Sequence, residues 1–192
     1  MVAYGGLERP QKKACREGRT PVLIDESGFY LLPGVVRTYA PRGKTPILRP
    51  FFTNDHLSVM SGITPRGQLY TLTRAEPLTS AESVTFLFHL GRRIGGKLLV
   101  IWDGSPIHRS GLVKEFLAAG GAGYVHLEQF PPYAPDLNPD EQVWHHLKRV
   151  EMKNMCCLNL HQLSTELQLA INRLRKKPSL IQSFFAGAGL DL

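Results

Sequence analysis

The chain has 192 residues, 43% of them apolar and 20% charged, with a formal net charge of +7. A chain this long makes one domain that buries about 70% of the surface its unfolded form exposes, and its composition excludes a disordered, collagen-like or coiled-coil protein. No apolar run approaches the ~20 residues a bilayer-spanning helix needs, and Met1 to Lys13 lacks the continuous apolar stretch of a signal peptide. The three cysteines, Cys15, Cys156 and Cys157, form no disulfide framework, so a soluble, cytoplasmic protein is expected.

Residues 1–19 read as a basic N-terminal tail. Thr20 to Asp25 is a short buried strand that ends in an acid, and Val35 to Tyr39 is a second strand reached through Pro33-Gly34. A basic loop, Pro41 to Pro46, follows. His56 to Thr64 and Gln68 to Thr73 form a hairpin around Pro65-Arg66-Gly67. Thr79 and Glu82 are spaced as a capping box, opening a helix whose apolar face is Val84, Leu87, Phe88 and Ile94. Lys97 to Trp102 is a continuous apolar strand, again ending in an acid, Asp103. A helix with Val113, Phe116 and Leu117 inward is closed by Gly120-Gly121, and Tyr124 to Leu127 is a further strand.

The rigid loop Phe130 to Pro135 leads to a helix that starts with Pro139 in its first turn and runs to about Asn154, burying Val143, Leu147 and Val150. Another helix spans His161 to Lys176, and 178–192 read as a C-terminal tail. Antiparallel strands followed by alternating helices and strands predict an α/β mixed sheet whose later strands are parallel.

The charge is unevenly placed. Residues 1–50 hold nine basic and four acidic side chains, 145–177 hold seven and two, and 51–144 hold seven and nine. A basic frame around an acidic centre suits a polyanion held over carboxylates that bind metal. Asp25 and Asp103 each follow an apolar strand directly, where an unpaired acid is costly to desolvate unless it binds a cation; each also fits the start of a loop. Glu141 stands at N3 of its helix, a capping position, yet His145 and Lys148 share its stripe at i+4 and i+7. Two strand acids and one helix acid are what two Mg²⁺ ions need to act on a phosphodiester. His145, His146, Cys156, Cys157 and His161 match no usual zinc spacing and read as helix with buried thiols. No Gly-rich nucleotide loop is present.

Three segments together are specific: Ile24-Asp25-Glu26-Ser27-Gly28-Phe29, Trp102-Asp103-Gly104-Ser105-Pro106-Ile107-His108, and Pro132 to Trp144 with Asp136-Leu137-Asn138-Pro139-Asp140-Glu141 at its centre. They resemble the catalytic domain of mariner-type transposases in the bacterial insertion-sequence branch, over residues 20 to 175. The resemblance implies a ribonuclease-H-like fold over 20–177 and a metal-binding acidic triad. Asp25 matches the first acid, Asp103 the second and Glu141 the third, with 37 residues between the last two. The family motif has an apolar residue where this chain has Asp140, so Asp140 competes with Glu141 as third ligand.

Further implications are Mg²⁺ or Mn²⁺ as a pair of ions, DNA as substrate, a homodimer, and cleavage and strand transfer at element ends. Family members also carry an N-terminal helix-turn-helix that 1–19 cannot supply, which implies an upstream frame product or a truncated remnant. His145 and Lys148 are expected on the phosphate side. Arg42, Lys44, Arg173, Arg175, Lys176 and Lys177 are candidate DNA-backbone contacts. The competing expectations are a non-catalytic remnant that binds DNA or a partner, and a general nuclease.

Overall fold

The computed structural model describes residues 14, 16–32, 34–37, 39–44, 47, 54–130 and 138–190. Most of the expected basic tail, Cys15, Pro33 and the proline loop from 131 to 135 lie outside the described residues.

Five strands form one sheet: β1 (Arg19–Tyr30), β2 (His56–Ile63), β3 (Leu69–Arg74), β4 (Lys97–Trp102) and β5 (Val125–Gln129). Their order is β3-β2-β1-β4-β5, with β2 antiparallel to both neighbours and β4 and β5 parallel to β1. The turn joining β2 to β3 needs Gly67 twice over. Its φ is +78°, and a Cβ there would stand 2.3 Å from the Pro178 carbonyl oxygen.

Period-two alternation along β1 sorts the core into two layers. Leu23 and Phe29 face α3 (Asp140–His146), α4 (Leu160–Arg175) and α5 (Pro178–Gly187). Val22 and Ile24 face α1 (Ser80–Ile94) and α2 (Gly111–Ala118). The same parity places Asp25 on the α3 face and Glu26 on the α1 face.

Four sequence expectations change. The strand expected at 35–39 is absent among the described residues; Val35 is exposed. Its backbone partners lie elsewhere: Val36 N–H donates to Asn154 Oδ1 (2.8 Å), Asn154 N–H to Gly34 O (3.2 Å) and Arg149 to Val35 O (3.2 Å). Those bonds satisfy the segment without a sheet ladder. The α1 core face is Phe86, Leu87 and Leu90 rather than one including Phe88, which is 52% exposed. The capping box itself forms as expected: Thr79 N–H donates to Glu82 Oε2 (3.0 Å), and the Thr79 hydroxyl accepts from Ala81 N–H (3.2 Å).

The helix expected to run from Pro139 to Asn154 is α3 followed by a π turn over Leu147–Glu151. The wider turn rotates the stripe, so Val150 is 50% exposed and Met152 is buried in its place. The segment expected as a C-terminal tail instead carries α5, whose Ile181, Phe184 and Phe185 belong to the core.

Glu151 ties the π turn to the end of α4. Its side chain is 8% exposed and meets Arg173 (2.6 Å), Lys177 (3.1 Å) and His146 (3.3 Å). Burial alone would raise its pKa, but Arg173, then Lys177 and His146, outweigh that and hold it at about 2. A lowered native pKa gives stability that is present above the unfolded value and lost as pH falls through about 2. Glu151→Ala should therefore lower stability at pH 7 by about 1–3 kcal/mol, measured by thermal denaturation, with the difference shrinking at low pH.

Candidate active site

The parallel ladder between β1 and β4 ends at the pair Leu23–Ile101, while β1 continues to Tyr30 against β2. Asp25 and Asp103 each stand two residues beyond that last pair, Asp25 still within β1 and Asp103 in the loop where β4 leaves the sheet. Asp25 is therefore not at the end of its strand, as the sequence suggested. It lies at the end of the parallel pairing, because β2 supplies hydrogen bonds on the other side and lets β1 run on.

The α3 helix crosses this notch. Trp144 donates from Nε1 to Asp25 Oδ2 at 2.9 Å, fixing one carboxylate oxygen. Glu141, one turn earlier, is exposed, and its charge acts on Asp25. Burial, only partly offset by the Trp144 bond and aided by the charges of Glu141 and Glu26, raises Asp25 to about 6. Asp103 is open to solvent as well: its side chain is 57% exposed and its Oδ1 accepts Ser105 N–H at 2.9 Å.

Asp140 differs from all three. It is fully buried, its Oδ1 accepts from the Ser61 hydroxyl, and its Oδ2 is without a partner. Ser61 is the residue directly opposite Asp25 in the β1–β2 ladder. Burial and then the Asp25 charge push the Asp140 carboxyl well above the usual carboxylate range.

Lys148 reaches the same notch. Its ammonium donates to Ser27 Oγ at 2.7 Å and lies 5.2 Å from the centre of the Phe29 ring. Burial lowers its pKa, while the charges of Glu141 and Asp25 favour the charged form. His145 is exposed on α3, and Arg42, Lys44 and Lys176 are exposed as well.

The remaining basic candidates are engaged elsewhere. Arg173 and Lys177 hold Glu151, and Arg175 donates to Leu69 O and Thr71 Oγ1 (both 3.0 Å) on β3.

His108 and Glu26 were not singled out by sequence reasoning. His108, in the 3₁₀ turn Pro106–Arg109, is buried and stacks flat on Trp102 with ring centres 4.1 Å apart. Its Nε2 is 2.7 Å from Glu26 Oε1 and its Nδ1 is 2.8 Å from Asp103 Oδ1. Among the described residues, Glu26, Asp103 and His108 are the group whose donor atoms all lie within 4.8 Å of one another. The donor atoms of Asp25, Asp103 and Glu141 do not all lie within that distance of one another. The thiol and imidazole groups at 145–161 form no such cluster among the described residues; Cys157 is buried in the α4 layer.

As a donor set, three carboxylates beside the Lys148 ammonium suit a hard divalent cation. Burial, with the neighbouring negative charges, raises Asp25, and a bound cation would offset both.

Comparison with known proteins identifies the family and the fold. The model of the DDE superfamily endonuclease family matches residues 20–163. The mariner Mos1 paired end complex with Mg has a TM-score of 0.61 at 16% identity, covering 98% of this chain and 59% of that one. A pre-cleavage Mos1 transpososome gives 0.57 at 17% identity, with 97% and 61% covered. A simian T-cell lymphotropic virus intasome in complex with PP2A regulatory subunit B56 gamma gives 0.52 at 15%, with 77% and 46% covered.

The chain thus spans about three fifths of the Mos1 chains. No curated protein sequence matches it. The mixed five-stranded sheet with helices on both faces is the ribonuclease-H-like fold. With residues 20–163 matched by its model, the chain belongs to the DDE superfamily of endonucleases.

Proposed function

We propose that this chain is the catalytic domain of a mariner-type DNA transposase that hydrolyses phosphodiester bonds at element ends and joins the freed 3′-hydroxyl to target DNA. The observation that carries this reading is the placement of Asp25 and Asp103 two residues beyond the last β1–β4 pair, with the Glu141 charge acting on Asp25.

In this reading Asp25, Asp103 and Glu141 hold a pair of Mg²⁺ or Mn²⁺ ions, and Asp140, sealed under the sheet, holds none. Bound Mg²⁺ supplies Lewis-acid polarisation of the phosphodiester and activates a water or 3′-hydroxyl for in-line attack. The protein's own groups prepare that site. Trp144 fixes one Asp25 oxygen, and Lys148 brings a desolvated positive charge to the phosphate side.

His145, Arg42, Lys44 and Lys176 contact the DNA backbone. Arg173, Arg175 and Lys177 add positive field while keeping their protein partners. Such contacts give affinity that weakens with salt rather than sequence reading. Two element ends call for two copies of the chain, in keeping with the paired-end complexes formed by Mos1. The setting is the bacterial cytosol of an insertion sequence.

Plasmid nicking and oligonucleotide joining with Mg²⁺ test the proposal. Asp103→Asn should lower both by about 10³-fold, the equivalent of several kcal/mol of lost charge stabilisation. Cleavage that survives the substitution removes Asp103 from the mechanism. Cleavage without any joining reduces the protein to a nuclease.

A further inference from the structure

Asp103 is exposed and sits on the loop after β4, where nothing in the strand fixes its side chain. Yet one of its oxygens is engaged from two sides: Ser105 N–H donates to Oδ1, and the His108 ring lies 2.8 Å from the same atom. His108 in turn has no freedom. Trp102 covers its face with an interplanar angle of 4°, and Glu26 takes its other nitrogen.

Nε2 bonds to Glu26 Oε1, and Nδ1 bonds to the Asp103 backbone carbonyl (3.3 Å) while lying 2.8 Å from its carboxylate, so the ring meets Asp103 through main chain and side chain together. Glu26 has the opposite pleat parity to Asp25, which is why adjacent residues on one strand serve opposite sides of the notch. We propose that Glu26 and His108 act as a positioning relay: Glu26 holds His108, and His108 holds Asp103 through its backbone carbonyl and its Oδ1 side, leaving Oδ2 as the atom presented to a divalent cation. This rests on the three-carboxylate reading above and adds a device that keeps its second member aimed.

Isosteric substitution separates the two ends of the relay. His108→Asn places a donor near the Nδ1 position and keeps the Asp103 bond while losing Glu26. His108→Gln places one near Nε2 and keeps Glu26 while losing Asp103. The readout is calorimetric titration of the full chain with Mn²⁺ alone, each variant's fold being verified by circular dichroism.

Supporting groups of this kind typically contribute 10–100-fold in metal affinity, so His108→Gln should weaken Mn²⁺ binding by about that factor. His108→Asn should weaken it by less. Glu26→Gln, which leaves the imidazole in place, should weaken it by about tenfold. A merely structural His108 would lower the melting temperature in both histidine variants and leave Mn²⁺ affinity of the folded protein unchanged, which overturns the relay. Asp103→Asn distinguishes the two levels. If it abolishes binding while His108→Gln does not weaken it, only the relay fails; if it leaves binding intact, the three-carboxylate site fails.

Discussion

Asp25→Asn should abolish Mg²⁺-dependent cleavage and, in the same protein without metal, raise the melting temperature above pH 6. The native carboxyl titrates at about 6 because burial opposes its charge. An unfolded aspartate titrates near 4, so between those values the native state binds the extra proton. Stability therefore falls as pH rises through that window and stays lower above it. Two pKa units correspond to about 3 kcal/mol, an upper figure for a site at a solvent-facing notch.

Asparagine removes that cost and still offers an oxygen to the Trp144 N–H. The expected gain is about 1–3 kcal/mol at pH 8 and close to none at pH 4. Thermal denaturation at the two pH values reads it directly. Equal effects at both would mean that Asp25 carries no unusual charge cost. An active site that opposes the stability of its own fold is a common cost of function.

The second large effect concerns Asp140. Its carboxyl is completely buried, and one oxygen has no partner. An unsatisfied buried polar group costs about 1–3 kcal/mol, so the double variant Asp140→Val, Ser61→Ala, which removes the donor and the acceptor together, should be more stable by about that amount. Because the native pKa is raised, ionisation opposes folding, and the advantage of the variant should grow as pH rises above the unfolded value.

Cleavage should persist in this variant and fail in Glu141→Gln. A double variant that folds but loses cleavage while Glu141→Gln retains it would reverse the assignment of the third acid.

The contrast between these neighbours explains what the sequence could and could not disclose. The helix start at Asn138-Pro139 and its two following acids were legible. Which of the two turns inward depends on how α3 meets β2, and Ser61 is 79 residues away. The strand at 97–102 was legible because an unbroken apolar run must be buried on both faces. The strand at 35–39 was not, because its β-rich composition is overridden by bonds to Asn154 and Arg149, contacts of high sequence separation.

The π turn left no local signal either, and it alone moves Val150 out of the core. Glu26 could have been noticed: a second acid beside Asp25 on a strand must face the other layer. His108 stood in plain view within the Trp102–His108 segment. Its role became visible only when Trp102 supplied a stacking surface and Glu26 a partner.

A crystal of this chain grown with Mn²⁺ and measured at the manganese absorption edge offers the most direct test. The account predicts anomalous density within about 2.5 Å of carboxylate oxygens of both Asp25 and Asp103, with His108 still against Asp103 and Glu26. Manganese held instead by Glu26, Asp103 and His108, with Asp25 bare, would contradict it.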